Sequence, residues 1–459
     1  MDITPPAREF RILSHGMLGY GFPQESLARA VDAGIDLIAV DAGSTDPGPY
    51  YLGSGRLFGA RDMIIRDLFM LIDAQEATGA PIIIGSAGGA GTDVQVDQLL
   101  DALSEVLSER SLQKRVAVIR SEIDKETLQI ALEEGRIRTF ETGQDLTKAD
   151  IDAACHIVAQ IGPEPIMAAL ADKPDIVISG RAWDVANVAA LPLKLGYPKG
   201  LAFHMGKILE CGGQAALPVE GSDLLVGILS VDAFVVESPH ARKVCTVESI
   251  SAHTLYEKIN PVRLPGPGGI VDLRAVQFEQ IDPARVRVTG SEFEEAEVYT
   301  VKLEGARSVG YRHIAIGGIR DPRMIAQIDE IQTAIRARLM QNLEGRVAPD
   351  AYQLTIRRYG LDGVMGAMEP HQTPAHELGL LIDAVGDTPQ IAETVCAMTR
   401  SLLLHWGYPG RVATAGNVAF PFSPADVPAG EVFEFNIYHL MELADPVAIF
   451  PHEILEMPR

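Results

Sequence analysis

Residues Pro81-Ile82-Ile83-Ile84-Gly85-Ser86-Ala87-Gly88-Gly89-Ala90-Gly91-Thr92-Asp93 pass from a short apolar run through a glycine loop into a stretch of helical period that extends to Glu109. A strand with one face in water would alternate apolar and polar residues. This run does not, so it reads as a strand buried on both faces. Strand, glycine loop and helix in series are the repeating unit of a parallel sheet wrapped by helices.

Working outward, the same texture recurs. Phe10 to Ser14, Ile35 to Asp41, Val116 to Ile119 and Asp175 to Ser179 read as further strands. Gln24 to Ala33, Ala60 to Thr78, Thr92 to Glu109 and Lys125 to Glu134 carry apolar residues three and four apart, and Gly34, Gly79 and Gly135 stand as stop signals. The fold class expected is α/β, an N-terminal parallel sheet of the doubly wound type flanked by helices. From about residue 222 the texture changes. Leu224 to Glu237, Val286 to Thr289 and Val298 to Leu303 look like strands without helical crossovers, followed by helices over Pro322 to Leu343 and Gln390 to His405 and a strand over Val432 to Ile437. This predicts an α/β domain over 1–221 and an α+β domain over 222–459. The breaker cluster Pro265 to Gly269 reads as a rigid internal loop.

Composition narrows the partners. The chain has 459 residues with 39 Lys and Arg against 62 Asp and Glu, a net charge of −23. Such a surplus repels phosphate backbones and anionic lipid, so neither nucleic acid nor a membrane surface is expected. The four cysteines Cys155, Cys211, Cys245 and Cys396 form no CxxC pair, which fits a reducing compartment. Met1 to Arg11 holds no apolar leader core, and no window approaches a membrane span. A cytoplasmic location is expected.

Four segments could carry chemistry. Asp41-Ala42-Gly43-Ser44-Thr45-Asp46-Pro47-Gly48-Pro49 follows the second strand, where open α/β sheets bind ligands. It offers two carboxylates and the hydroxyls of Ser44 and Thr45, residues that equally suit a capped turn. The loop with Ser86, Gly88 and Gly89 could cradle a phosphate or carboxylate with free amides, or let strand and helix pack closely. It lacks the P-loop lysine and the GxGxxG spacing. Ser179-Gly180-Arg181-Ala182-Trp183-Asp184 places an arginine to fork onto an anion with Asp184 as its partner, or an ion pair that closes a loop. In His204-Met205-Gly206-Lys207-Ile208-Leu209-Glu210-Cys211-Gly212-Gly213-Gln214, a helix would put His204, Lys207 and Cys211 on one face with Glu210 three residues from Lys207. That face offers acid, base and nucleophile, although a lone helical cysteine also serves as a small core residue.

No HxH, HxxxH or HExxH spacing links His253, His313, His371, His376, His405 and His439. A divalent cation (Mg, Mn or Ca) gathered by Asp41, Asp46 and Asp184 would suit hard oxygen ligands. The Gly-rich segment from Tyr408 to Pro421 reads as a structural loop.

DAGSTDPGPYYLGSG (Asp41 to Gly55), GSAGGAGTD (Gly85 to Asp93), SGRAWD (Ser179 to Asp184), HMGKILECGGQ (His204 to Gln214), AHTLYEK (Ala252 to Lys258) and LPGPGG (Leu264 to Gly269) resemble the acyclic terpene utilisation (AtuA) family over nearly the whole chain. The likeness is to the short form, lacking the C-terminal ferredoxin-like domain of long members, which implies a small companion protein of ferredoxin-like fold. It also implies a catabolic cytosolic protein grouped with enzymes of acyl-CoA or small carboxylic acids. Where long members tend to have GAQ followed by TGG, this chain has Gly212-Gly213-Gln214.

The function expected is a lyase or hydratase acting on a small carboxylic acid or its CoA thioester. A carboxylate of Asp41, Asp46 or Glu210 would take a proton next to the carbonyl, while glycine-loop amides and Arg181 hold the anion and Lys207 or Cys211 serves as acid or nucleophile. Ser44, Thr45, Ser86, Gly88, Gly89, Asp184 and His204 would complete the binding site in a homo-oligomer. The alternative is a non-catalytic ligand-binding or scaffold subunit.

Overall fold

Five of the apolar runs form the parallel centre of a ten-stranded sheet in the computed structural model, which describes residues 8–458 apart from 142, 372 and 413. Part of the Met1 to Arg11 stretch, and one residue of the Tyr408 to Pro421 loop, therefore lie outside the described residues. The parallel strands lie in the order Phe10–His15, Leu37–Asp41, Ile82–Gly85, Ile176–Ser179, Lys114–Ile119. Alternate residues enter two separate cores. Leu13, Ile38, Val40, Ile82 and Ile84 pack with Leu68, Leu71, Leu99 and Leu103 of helices Arg61–Thr78 and Asp93–Arg110. Ile12, Leu37, Ala39 and Ile83 pack with Ile166, Val188 and Met205 of helices Pro163–Ala169, Ala186–Lys194 and Lys199–Leu209. Burial on both faces is why these strands read as unbroken apolar runs.

Antiparallel strands extend both edges. Leu224–Leu229 pairs with Phe10–His15, followed by Ala233–Glu237, Arg285–Thr289 and Gln277–Asp282, while His452–Met457 pairs with Lys114–Ile119. The change of texture near residue 222 therefore marks a change from helical crossovers to hairpins within one sheet. Leu224 to Glu237 is a hairpin, its turn at residues 230–232. The breaker cluster is also a hairpin tip. Arg263–Gly266 pairs with Gly269–Asp272, and Pro267-Gly268 turns between them with Gly268 at φ +75°, which suits a turn with Pro at its second position and Gly at its third.

The chain forms two compact units. One runs to Arg307 and takes in the C-terminal residues from Phe435, and the other is Ser308–Glu434. In the first, Lys302–Ala306 pairs with His156–Gln160, opposing Glu304 to Val158. The second is an antiparallel layer of Tyr352–Tyr359, Leu378–Gly386 and residues 311–319, with helices Ile328–Leu343 and Pro389–His405. Leu378–Gly386 alternates buried and half-buried residues along its length, the mark of a sheet covered on one face.

Candidate active site

Asp41 is the last residue of its strand, at the carboxyl end of the parallel centre, the end at which open α/β sheets bind ligands. The amide of Gly43 donates to its Oδ1 at 3.2 Å. Burial raises the Asp41 pKa well above the ordinary carboxylate range, and the charge of Asp184 adds to this, with Arg181 and the Gly43 amide opposing. Asp41 therefore holds its proton more tightly than an ordinary carboxyl group. Asp46 takes another course. It is exposed and accepts from Ser44 Oγ at 2.7 Å, closing the turn, and Thr45 Oγ1 donates to Glu304 Oε1 at 2.9 Å.

Arg181 is the fixed charge behind the site. It is 2% exposed, with Nε on Glu304 Oε2 at 2.8 Å and Nη1 shared among Ser86 Oγ, the Ala182 carbonyl and Asp184 Oδ1. Glu304 also receives Lys302 at 2.6 Å, and its pKa falls to about 2, because Arg181 and Lys302 outweigh the burial that would raise it. Arg181 is thus held mainly by the protein and aims Asp184.

The fourth segment is helical only as far as Leu209, with Glu210 as its cap and Cys211 beyond it. Gly212 (φ +57°) and Gly213 turn the chain there. A Cβ on Gly212 would lie 2.8 Å from the Asp223 carbonyl and the Gly16 nitrogen, and the Gly213 amide donates to that carbonyl at 2.8 Å. This close approach seats the helix end against the carboxyl end of Phe10–His15. Lys207 pairs with Glu210, both buried. Burial lifts the Glu210 pKa to about 7 and Asp184 pushes the same way, against Lys207 and Lys258. Burial and Glu210 hold the Cys211 thiol protonated. Lys258 lies within reach of the same charges, its pKa lowered by burial and by Lys207. Lys207 also sits 5.4 Å over the ring of Tyr256. Next in the chain, Glu257 has φ +59°, a left-handed conformation that non-glycine residues adopt at a cost.

The structure thus brings together Asp41, Asp184, Lys207, Glu210 and Cys211, with Arg181, Ser86 and Thr45 behind them. His204 lies elsewhere, fully buried between Ser291 Oγ (2.7 Å) and Thr254 Oγ1 (3.0 Å), its pKa pushed down to about 3 by burial. It points into the core, away from the cluster that its spacing from Lys207 suggests. The glycine loop is buried and largely spent on itself. The amides of Ser86, Ala87, Gly89 and Gly91 bond to backbone carbonyls, and Thr92 caps the following helix in a capping box with Gln95. Its glycines serve close packing. A Cβ on Gly91 would lie 2.0 Å from the Arg181 nitrogen and one on Gly43 2.6 Å from Gly89 Cα. Among the described residues no three His, Cys, Asp or Glu side chains are placed to hold a metal ion, which corrects the expected cation at Asp41, Asp46 and Asp184. Burial and Asp184 disfavour the charged form of Asp41, Asp184 is taken by Arg181, and Asp46 turns to Ser44.

Three charged groups escape the sequence reading. Lys258 stands inside the quoted AHTLYEK segment, which was the available signal, whereas Glu304 and Lys302 lie in an ordinary strand and reach Arg181 only through the fold.

Among the described residues no helix is long and apolar enough to cross a membrane. The family model described as acyclic terpene utilisation family protein AtuA matches residues 62–422, a span that holds Ser86, Arg181, Glu210, Lys258 and Glu304 and begins after the Asp41 to Asp46 turn. No curated protein and no solved structure matches the chain.

Proposed function

We propose, for a chain that belongs to the acyclic terpene utilisation family AtuA, a catabolic lyase of the hydro-lyase type that acts on a small carboxylic acid or its CoA thioester. The family's name ties it to terpene utilisation, a catabolic role. The observation that carries the proposal is the meeting of Asp41 and Glu210, from a strand end and a helix end, with the Glu210 charge reaching Asp41 and those of Lys207 and Lys258 reaching Glu210.

Glu210, titrating near neutrality, is suited to take the proton next to a carbonyl. Asp41, its pKa raised by burial and by Asp184, is suited to give a proton away. In the elimination the C–H electron pair becomes the new C=C bond, the C–O bond breaks, and the departing hydroxyl leaves as water with the Asp41 proton. Lys207 and Lys258 supply positive charge for the carboxylate or for the enolate that forms. Arg181 keeps Asp184 in place, and Asp184 holds both proton-transfer groups in their raised range.

A thermal-shift screen over hydroxy acids, di- and tricarboxylates and CoA thioesters identifies the ligand, since 100 times Kd adds about 2.7 kcal/mol of stability. Incubation of that ligand in D2O then tests the chemistry. Deuterium is expected at the carbon next to the carbonyl with wild type and not with Glu210→Gln. A ligand that binds without exchange or turnover would favour the scaffold reading.

A further inference from the structure

The Pro265–Gly269 hairpin tip takes no part in the site above, yet its Gly268 walls a cavity of about 410 Å³ in the same unit. That volume lies within the roughly 300–1,000 Å³ of small-molecule sites. Phe203, one helical turn before Lys207, forms part of the cavity wall. Four aromatic residues line it: Tyr197, Phe203, Phe293 and Tyr299. At one corner Tyr299 Oη donates to Glu164 Oε2 at 2.6 Å. Two glycines make room for this pair. A Cβ on Gly162 would lie 2.2 Å from Tyr299 Oη, and one on Gly268 would lie 3.1 Å from the Tyr299 ring.

The charges are unbalanced. Lys199 and Glu295 pair with each other where the cavity reaches solvent, and Lys199 Nζ lies 5.5 Å from the centre of the Phe293 ring, so a cation already rests on one wall. Glu164 has no such partner. Among the described residues no Lys, Arg or His forms an ion pair with it, and its side-chain donor is Tyr299. Burial raises its pKa, against the Tyr299 hydrogen bond and the charge of Lys199. A carboxyl group in an aromatic box is the chemistry that recognises organic ammonium ions, because ring faces and carboxylate both attract a positive charge that is weakly hydrated.

We propose that this cavity is a binding site for a small organic cation, an alkyl-substituted ammonium whose charged head meets Glu164 and whose hydrocarbon body lies against Phe203 and Phe293. The site is separate from the Asp41 and Glu210 cluster and does not depend on its reaction.

The test uses the full chain and two molecules of one shape, choline and its neutral isostere 3,3-dimethyl-1-butanol, titrated calorimetrically. Choline is expected to bind about 10-fold or more tightly than the alcohol. Glu164→Gln, which keeps shape and the Tyr299 hydrogen bond, should abolish that preference without moving the melting temperature, and Phe293→Leu should weaken choline more than the alcohol. Equal binding of the two molecules would overturn the proposal and leave an apolar cavity. So would no choline binding at millimolar concentration, or a preference untouched by Glu164→Gln, which would put the cation elsewhere on this acidic chain.

Discussion

Arg181 Nε meets Glu304 Oε2 at 2.8 Å across 123 residues of chain, and both side chains are buried. The pair joins the end of a parallel strand to an antiparallel one, and through Thr45 and Asp184 it fixes both flanks of the candidate active site. Removing one partner of a buried pair strands the other charge, so Glu304→Ala should cost about 3–5 kcal/mol, read from the urea midpoint. The Glu304 pKa is lowered to about 2, below its unfolded value of about 4.3. Its stabilisation is therefore complete above that unfolded value and is lost as pH falls from about 4.3 through about 2. Wild type should lose stability steeply in that window and the variant much less. Parallel acid profiles would refute the role.

Glu210 predicts the form of the pH–rate profile. A base must be deprotonated, so kcat/KM should rise with pH through a midpoint near 7. Glu210→Gln should lower turnover by about 10² or more and flatten that limb. Lys207→Met removes the nearby cation that lowers the Glu210 pKa, so the limb should move to higher pH while some activity survives. A limb unmoved by Lys207→Met would assign the titration to another group.

How much of this was legible in the sequence depends on distance along the chain. Both-face burial writes itself into short apolar runs, so all five central strands and the helices between the first of them stand within a few residues of their expected limits. The strand Tyr299–Ile319 is legible only at its start, because Gly305, Gly310 and Gly317 interrupt its pattern where other elements press close. The hairpin around Pro267 passed for a loop because each of its strands has four residues. In the site, Lys207 with Glu210 and Arg181 with Asp184 were visible as pairs three residues apart. Glu304 was not, since nothing local marks a strand glutamate as the partner of an arginine far upstream. The glycine loop misled because amides spent on close packing and amides left open for an anion leave the same residues in the sequence.

Asp46→Asn separates the two carboxylates of the first loop. Asp46 is exposed and bonds to Ser44, and asparagine serves well in such a turn. Turnover should stay within about 2-fold and stability within a few tenths of a kcal/mol. Asp41→Asn keeps the shape and a donor but has no acidic proton to give, so turnover should fall by about 10². If Asp46→Asn proves the more damaging of the two, the proton donor has been misassigned.

Cys211 lies beside Lys207, a setting that in other proteins activates a thiol. Here burial comes first and the Glu210 charge second, and together they push its pKa up, so the thiolate is scarce at neutral pH. Cys245 and Cys396 are buried and raised to about 12 in the same way, while Cys155 is exposed. Ellman's reagent at pH 8 should therefore titrate one thiol quickly, and Cys155→Ser should remove that fast phase while Cys211→Ser leaves it. If proton transfer by Glu210 and Asp41 is the chemistry, Cys211→Ser should also keep activity within about 3-fold, far from the 10² lost with a positioned acid or base. A loss on that scale, together with a fast phase that disappears in Cys211→Ser, would instead make Cys211 the nucleophile and call for a covalent intermediate.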